Sequence, residues 1–564
     1  MISRTLVATL VISGTVLAGC RPVSAPSGAS TGGGGLTRDA TGTQAQQCEA
    51  GKEWWRSTDA PKQGGVFRVL NPVPIRPYRL DPTAPGQASI VNYPQIYERL
   101  VRPRACFYED TVMEPALAES WTTSPDGLTW TFKLRENANW QNVAPVNGRA
   151  FTSADVAFTI EHQKAGGNLK SFWDSVTHEE PDAQTIILRI KEPDADFLGK
   201  LGEGQNFIVP REVKDQFGDF KNIAIGTGPY MMKDFQPDQV STLVRNPNWW
   251  GAKGPNGQTF QRIDEIQIIK VGDYVADVAA MRSGQADLNA SQGYNRVDAD
   301  ALKQANPKMR SMDDVSSTIW NIYFNLNKKP FDDVRVRRAI AFAVDFDEVN
   351  LGGDFQGGGI RSGFLSSTLK EWGWPPEKVA EKFKPDREKA RQLLSEAGYG
   401  PGDIKILLEV GKAYTQGAEV IQKQLESVGI TARLQPDAGD RSSIGIMRDP
   451  QFESSWGAYT GSSFFPDYWL SAGMHSKGSV NSNGLKDAQL DTLIDAQRKE
   501  MDPAKRKVVI DQIQDRLYDV MPSVPGLAKI YYRFYSCQVR NMRPTQSNRD
   551  LEGIHEAWID ATGC

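Results

Sequence analysis

The residue with the most pointed chemistry in this 564-residue chain is Cys20. Its thiol closes Leu17-Ala18-Gly19-Cys20, behind a run from Thr5 to Leu17 that is almost wholly apolar or small and a short leader holding the Met1 amine and Arg4. Such a run is too short and too weakly flanked to span a bilayer, and it reads as a secretory signal peptide over residues 1–20. Its small-small-Cys ending resembles the motif in which the thiol takes a lipid and the cysteine becomes residue one of the mature chain. Cys20 is therefore the expected lipidation site. The other cysteines are Cys48, Cys106, Cys537 and Cys564. An even number in an exported chain permits disulfides, and four cysteines allow three pairings. Cys537 with Cys564 would close one loop near the C-terminus and Cys48 with Cys106 another, buried free thiols being the alternative. No pair has CxxC spacing, so dithiol redox catalysis is not expected.

Other reactive constellations are sparse. The four histidines, His162, His178, His475 and His555, do not stand at metal-ligand spacing, and neither a GxSxG elbow, an HExxH pair nor a GxxxxGK[ST] phosphate loop is present. Gly226-Thr227-Gly228-Pro229 lacks the lysine and the length of a phosphate cradle and reads as a tight turn. Sixty-nine carboxylates in no directed pair say nothing. No catalysis, cofactor or metal is expected. The aromatics are more telling: 14 tryptophans include the doublets Trp54-Trp55 and Trp249-Trp250, with Trp372/Trp374 and Trp456/Tyr459 close by. Aromatic side chains cover apolar area at small entropic cost and keep a polar handle, which suits a cleft gripping organic ligands, although most will fill cores.

These residues need a scaffold. Arg21 to Gln47 is Ser/Thr/Gly/Pro/Ala-rich, with Gly32-Gly33-Gly34-Gly35 and hardly an apolar side chain, so residues 21–61 are expected to be a flexible tether. The rest is ordinary globular material, 39% hydrophobic and 24% charged with net charge −4, and is larger than one core supports. That charge offers no electrostatic footprint for nucleic acid or anionic lipid, and no second apolar run reaches membrane-spanning length. Strand alternation is plain in TWTFKL (Trp130, Phe132, Leu134), EIQIIKV (Ile266, Ile268) and IKILLEV (Ile404, Ile406, Leu408, Val410). Helical spacing appears in Val336/Ile340/Ala343/Val344, in Ala390/Leu393/Leu394/Ala397 before Gly398, in Ile421/Leu425/Val428, and in Val509/Ile513/Leu517/Val520. Thr152 and Asp155 are spaced as a capping box. A mixed α/β protein of more than one lobe follows.

Many ordered segments then resemble one family. LAESWTTSPDGLTWTFKLRENANWQN…FTSADVAFTIE, from Leu117 to Glu161, is similar to the hallmark stretch of the extracellular solute-binding proteins of the peptide/nickel class, family 5, the lipoprotein receptors of ABC importers. GGVFRVL at Gly64, LDPT at Leu80, YERLV at Tyr97, GTGPYMMKDF…LVRNPNWWG at Gly226, IYFNLNKKPFDDVRVRRAIAFAVD at Ile322, KFKPDREKARQLLSEAGY, and QLDTLI…DQIQDRLYDVMPSVPG extend the resemblance over residues 62 to 545. It implies an α/β, two-lobed periplasmic-binding-protein clamshell (type II-like) with an additional inserted domain. Lobe I would combine 62–97, 198–312 and 528–564; inserted domain II would be 98–197, and lobe III 313–527. It further implies a monomer that closes on a small organic or peptide ligand and docks on ABC permease subunits, held to the membrane by the Cys20 lipid. Its location would be extracytoplasmic, in the periplasm or at the outer face of the cell membrane. A ligand sensor using the same fold for signalling is the alternative, and a hydrolase is disfavoured by the missing nucleophile and metal motifs.

For the ligand site, the resemblance implies a contact loop after LDPT, here Gly86-Gln87-Ala88. The strand IWNIYFNL puts Trp320, Ile322, Phe324 and Leu326 on one face and Asn321, Tyr323 and Asn325 on the other, and the polar face is the expected cleft wall. Trp456 and Tyr459 are expected as stacking anchors, with Ser462 and Phe464 beside them. Peptide binders of this family resemble one another at a Trp-x-x-Asp segment four residues before a proline, whose Asp pairs with the peptide's ammonium. Counting back from Pro466 puts Tyr459 at the Trp and Ser462 at the Asp. Serine cannot neutralise a buried ammonium, so a change of ligand toward a capped peptide, an oligosaccharide or another organic molecule is expected, unless a shifted loop brings Asp467 into that place.

Overall fold

Two long antiparallel strands, Arg310–Phe324 and Ser523–Tyr535, organise the molecule. The computed structural model describes residues 55–71, 80–84, 93–103, 113–167, 169–202, 206–236, 238–254, 257, 259–289, 293–369, 371–411, 414–437, 443–459, 465–543 and 552–564. Cys20, Cys48, Cys106, Gly86-Gln87-Ala88, Ser462 and Phe464 lie outside them, as does the tether to residue 54.

An eleven-stranded mixed sheet runs through both lobes. On one side of the long pair lie Ser454–Tyr459, Ile404–Gly411 and Ile430–Asp437; on the other lie Leu288–Asn289, Val66–Asn71, Glu265–Lys270, Val240–Arg245 and Tyr230–Asp234. The long pair is continuous but not uniform. Arg310 to Val315 pair with Tyr535 to Ile530, Ile319 to Tyr323 pair with Ala528 to Ser523, and the register shifts between Val315 and Ile319. The packing divides at the same place. One core runs from Phe67 through Met312 and Val315 to Ala557, and a second from Trp320 to Leu527. Residues 316–318 therefore interrupt the ladder where one core gives way to the other.

Period-two patterning accounts for the strands. Trp130, Phe132 and Leu134 point inward from a separate four-stranded antiparallel sheet, and Ile404, Ile406, Leu408 and Val410 are buried in the second core. That four-stranded sheet lies within the expected inserted domain, yet its apolar face belongs to the first core rather than to a core of its own. At the helix Ser153–Gly166, the Thr152 N–H donates to Asp155 at 2.9 Å, closing the capping box, and Asp155 also accepts from Arg149. The turn at Gly226-Thr227-Gly228-Pro229 is explained by crowding: a β-carbon at Gly228 would lie 2.7 Å from the Gln95 carbonyl, and one at Gly226 would overlap that of Ile96. Backbone proximity is what this motif supplies.

The C-terminal segment packs back on the first lobe. Cys537 and Cys564 form a disulfide with Cα atoms 5.2 Å apart, and Val539 pairs with Ile559. His555 is buried there between the rings of Trp249 and Phe260, at 5.4 and 5.5 Å. Burial, with Arg102 and Arg543 nearby, holds its imidazole well below the ordinary histidine range, so it is neutral in the folded chain. The unfolded chain takes up a proton as pH falls through about 6.5, whereas the folded chain does not. Stability is therefore full above that pH and declines below it by at most about 1.4 kcal/mol per pH unit from this group. Thermal melts between pH 7.5 and 5 will show this decline, and His555→Gln will flatten it; half-buried His162, also shifted down by burial, adds in the same direction.

Candidate functional site

A cavity opens beside the break in the ladder at residues 316–318. Ser317, Ile319, Asn321 and Tyr323 form one wall, all from the same face of the strand Arg310–Phe324. Phe364, Leu365, Ser366 and Leu369 form a second, and Phe465 and Trp469 a third; the empty space, counted to the open mouth, is about 340 Å³. Among the described residues this lining carries no Asp, Glu, Lys, Arg or His. Its polar atoms are already ordered: Asn321 donates to the Tyr323 hydroxyl at 2.9 Å and accepts from the Gly526 N–H at 3.3 Å, and the Thr368 hydroxyl donates to Ser366 at 3.0 Å. Such a site offers a ligand apolar and aromatic contact with fixed neutral hydrogen-bonding groups.

The third wall is held from both lobes. Phe465 packs its ring on Gly199, where a β-carbon would overlap it, and so joins the first core although its neighbours in sequence belong to the second. Gly199→Ala must displace this ring from the cavity. The expected result is weaker ligand binding with both cores still cooperative, read by calorimetry and thermal melts on the same samples. Between Phe465 and Trp469, Asp467 is buried and accepts from Lys200 at 2.7 Å, Gln497 at 2.6 Å, Ser471 at 2.5 Å and Arg498 at 3.2 Å. Burial pushes its carboxyl up, but Lys200 and Arg498 outweigh burial and hold it well below the usual carboxylate range. Asp467 is thus a consumed carboxylate rather than one free to meet a ligand's ammonium.

The sequence-based candidates disperse. Tyr323 lines the cavity with its strand-mate Asn321. Asn325 lies past the strand end, where it donates to the Phe452 carbonyl at 3.0 Å and accepts from the Asn327 N–H, holding a turn. Trp456 is wholly buried in the second core, 5.8 Å from the Phe346 ring and 6.4 Å from Phe355. The correction has a simple cause: Trp456 stands directly opposite Ile322, whose side chain is buried in the second core, and residues paired across two strands share a face. The tryptophan doublet at Trp249-Trp250 is structural, both indoles donating to Glu98, at 3.2 and 2.7 Å. Trp372 and Trp374 belong to the second core. The residues that sequence reasoning passed over are Ser317, Ile319, Phe364–Leu369, Phe465 and Trp469. Ile319 shares the parity of Asn321 and Tyr323, which was the available signal.

Comparison with known proteins is consistent across the chain. The family model "Bacterial extracellular solute-binding proteins, family 5 Middle" matches residues 112–481. Heme-binding protein A of Haemophilus influenzae is 30% identical over 332 residues, 55% of this chain and 57% of that protein. The dipeptide-binding protein DppE of Bacillus subtilis is 25% identical, covering 74% of this chain and 79% of its own. Among solved structures, the DppA of Helicobacter pylori in complex with the peptide STSA superposes with a TM-score of 0.73 at 21% identity, covering 88% of this chain and 98% of that one. The AgaA of A. tumefaciens in complex with agropinic acid gives 0.71 at 23% identity, covering 88% and 99%.

Proposed function

Because the chain belongs to the bacterial extracellular solute-binding proteins of family 5, we propose that it captures an organic or peptide-like solute between its lobes and delivers it to an ABC import permease. In this reading a lipid on Cys20 keeps it at the membrane, and the segment from residue 21 lets the body sample the medium. As a member of this family it is a binding protein and not an enzyme, with an α/β clamshell fold.

The observation that carries the ligand reading is the uncharged cavity wall beside the hinge. Tyr323, Asn321 and Ser366 would take a ligand's neutral polar groups, and Phe465 and Trp469 its apolar or aromatic part. The loop Gly86-Gln87-Ala88 and the segment Tyr459, Ser462, Phe464 complete the site in this proposal. With serine at 462 and Asp467 consumed by Lys200 and Arg498, the described lining offers no carboxylate to a free α-ammonium, and leaving such a cation buried and unpaired is costly. The ligand is accordingly a solute with a blocked or absent ammonium. The relatives' named ligands, from peptide to agropinic acid, fit a scaffold that changes its cargo by changing its walls.

Capture then follows from hinge closure about residues 316–318. Closing removes water from the walls, strengthening each hydrogen bond within. Ligand shifts the population only by as much as it binds the closed form more tightly than the open one, and whatever favours closure in the free chain lowers what the ligand must supply. The experiment is deletion of the gene followed by uptake assays with the ligand recovered from the purified protein. Lost uptake supports delivery to a permease. Unchanged uptake with a lost transcriptional response would favour a sensor.

A further inference from the structure

Across the cavity from the hinge, the two lobes meet through a buried ion cluster. The first-lobe side contributes Asp194, Asp196 and Lys200, from a segment whose Phe197 and Leu201 sit in the first core. The second-lobe side contributes Asp467, Arg498 and Arg506, the last from a helix whose Ile510 and Ile513 sit in the second core. Arg506 grips Asp196 through both carboxylate oxygens, at 2.5 and 2.7 Å, with both side chains almost wholly buried. Lys200 bridges Asp194 on its own side and Asp467 on the other, each at 2.7 Å. Gln497 completes the set by donating to Asp467 and accepting from Arg506 at 2.9 Å, and the Asp467 N–H donates to Asp196 at 3.2 Å.

The charges are arranged in a particular way. The first-lobe trio carries one net negative charge and the second-lobe trio one net positive charge, so the closed seam is electroneutral. Lys200–Asp194 and Asp467–Arg498 lie within one side and survive opening; Arg506–Asp196 and Lys200–Asp467 cross the seam and do not. Burial opposes the charge on Lys200, yet Asp467 and Asp194 outweigh it and raise its pKa, so Lys200 stays charged in the seam.

We propose that this cluster is a closure latch, in which Asp196, Lys200, Asp467 and Arg506 are positioning residues that select the closed arrangement of the lobes and place Phe465 and Trp469 on the cavity wall. The desolvation cost of such a cluster nearly offsets its attraction, so its contribution is alignment rather than adhesion: the lobes close in one register or not at all. The inference rests on the clamshell reading above, but its test needs no ligand, so failure to find a ligand leaves it standing or falling on its own.

The test is hydrogen exchange with small-angle scattering on full-length protein stripped of ligand. The wild type is expected to protect residues 194–200 and 465–471 and to show a radius of gyration near that of a compact body of its size, roughly 24 Å. Arg506→Met, which leaves Asp196 unpaired, should speed exchange in both segments by about tenfold or more and raise the radius, while 66–71 and 404–411 keep their protection. Asp196→Leu/Arg506→Met, which removes both charges, should recover most of the seam's protection. If Arg506→Met loses protection in the cores as well, Lys200→Gln is read on the same two segments with the same expectation. A seam that exchanges as fast as exposed backbone in the wild type would overturn the proposal. Equal seam protection in the wild type and in the variant that keeps its cores would overturn it too.

Discussion

Trp456→Ala is expected to destabilise the second lobe by about 3–5 kcal/mol, as truncation of a fully buried aromatic does. The indole is wholly buried, bracketed by Phe346 and Phe355, and close to Gly417, where an added β-carbon would stand 3.2 Å from its ring nitrogen. Its strand, Ser454–Tyr459, pairs with Ile404–Gly411, with Trp456 opposite Val410. Chemical denaturation will show the loss, and Trp456→Phe, which keeps most of the volume, will cost less. A variant with wild-type stability and weakened ligand binding would instead return Trp456 to the ligand's wall.

Trp469→Ala carries the largest expected effect on binding. Its ring faces the cavity beside Phe465, and removing an aromatic anchor from a desolvated wall costs about 1–3 kcal/mol, or roughly 5- to 150-fold in affinity. Titration calorimetry with the ligand recovered from the wild-type protein measures it. Tyr323→Phe, which removes one hydroxyl that Asn321 already orders, should cost less, so the ratio of the two losses tells whether the wall recognises chiefly by area or by hydrogen bonding. Unchanged affinity in Trp469→Ala would move the ligand out of this cavity.

The strands and their inward faces are legible because alternation at period two survives wherever one face is buried, as in TWTFKL and IKILLEV. The helix Pro503–Val520 is harder to read. Its inward stripe includes Arg506 and Gln514, so the apolar periodicity is diluted and Val509 and Val520, expected on the core face, end at its margin. Strand parity puts Tyr323 on the same face as Asn321, and the register with Ile322 turns Trp456 to the core. What the sequence cannot display is contact at long range. Lys200 meets Asp467 across 267 residues and Asp196 meets Arg506 across 310, so each reads as an ordinary surface charge until the lobes are brought together. Phe465 is the sharpest case, for its role depends on a glycine in the other lobe whose missing side chain makes room for it.

On this reading the chain is a receptor for a solute lacking a free α-ammonium, held against walls whose described residues carry no charge. Native mass spectrometry of the freshly purified mature protein, followed by identification of whatever is released on denaturation, tests it most directly. One bound species is expected, either non-peptide or blocked at its amino end. A ladder of free peptide masses would contradict it, and would mean that another carboxylate holds the ammonium that Ser462 and Asp467 leave unclaimed.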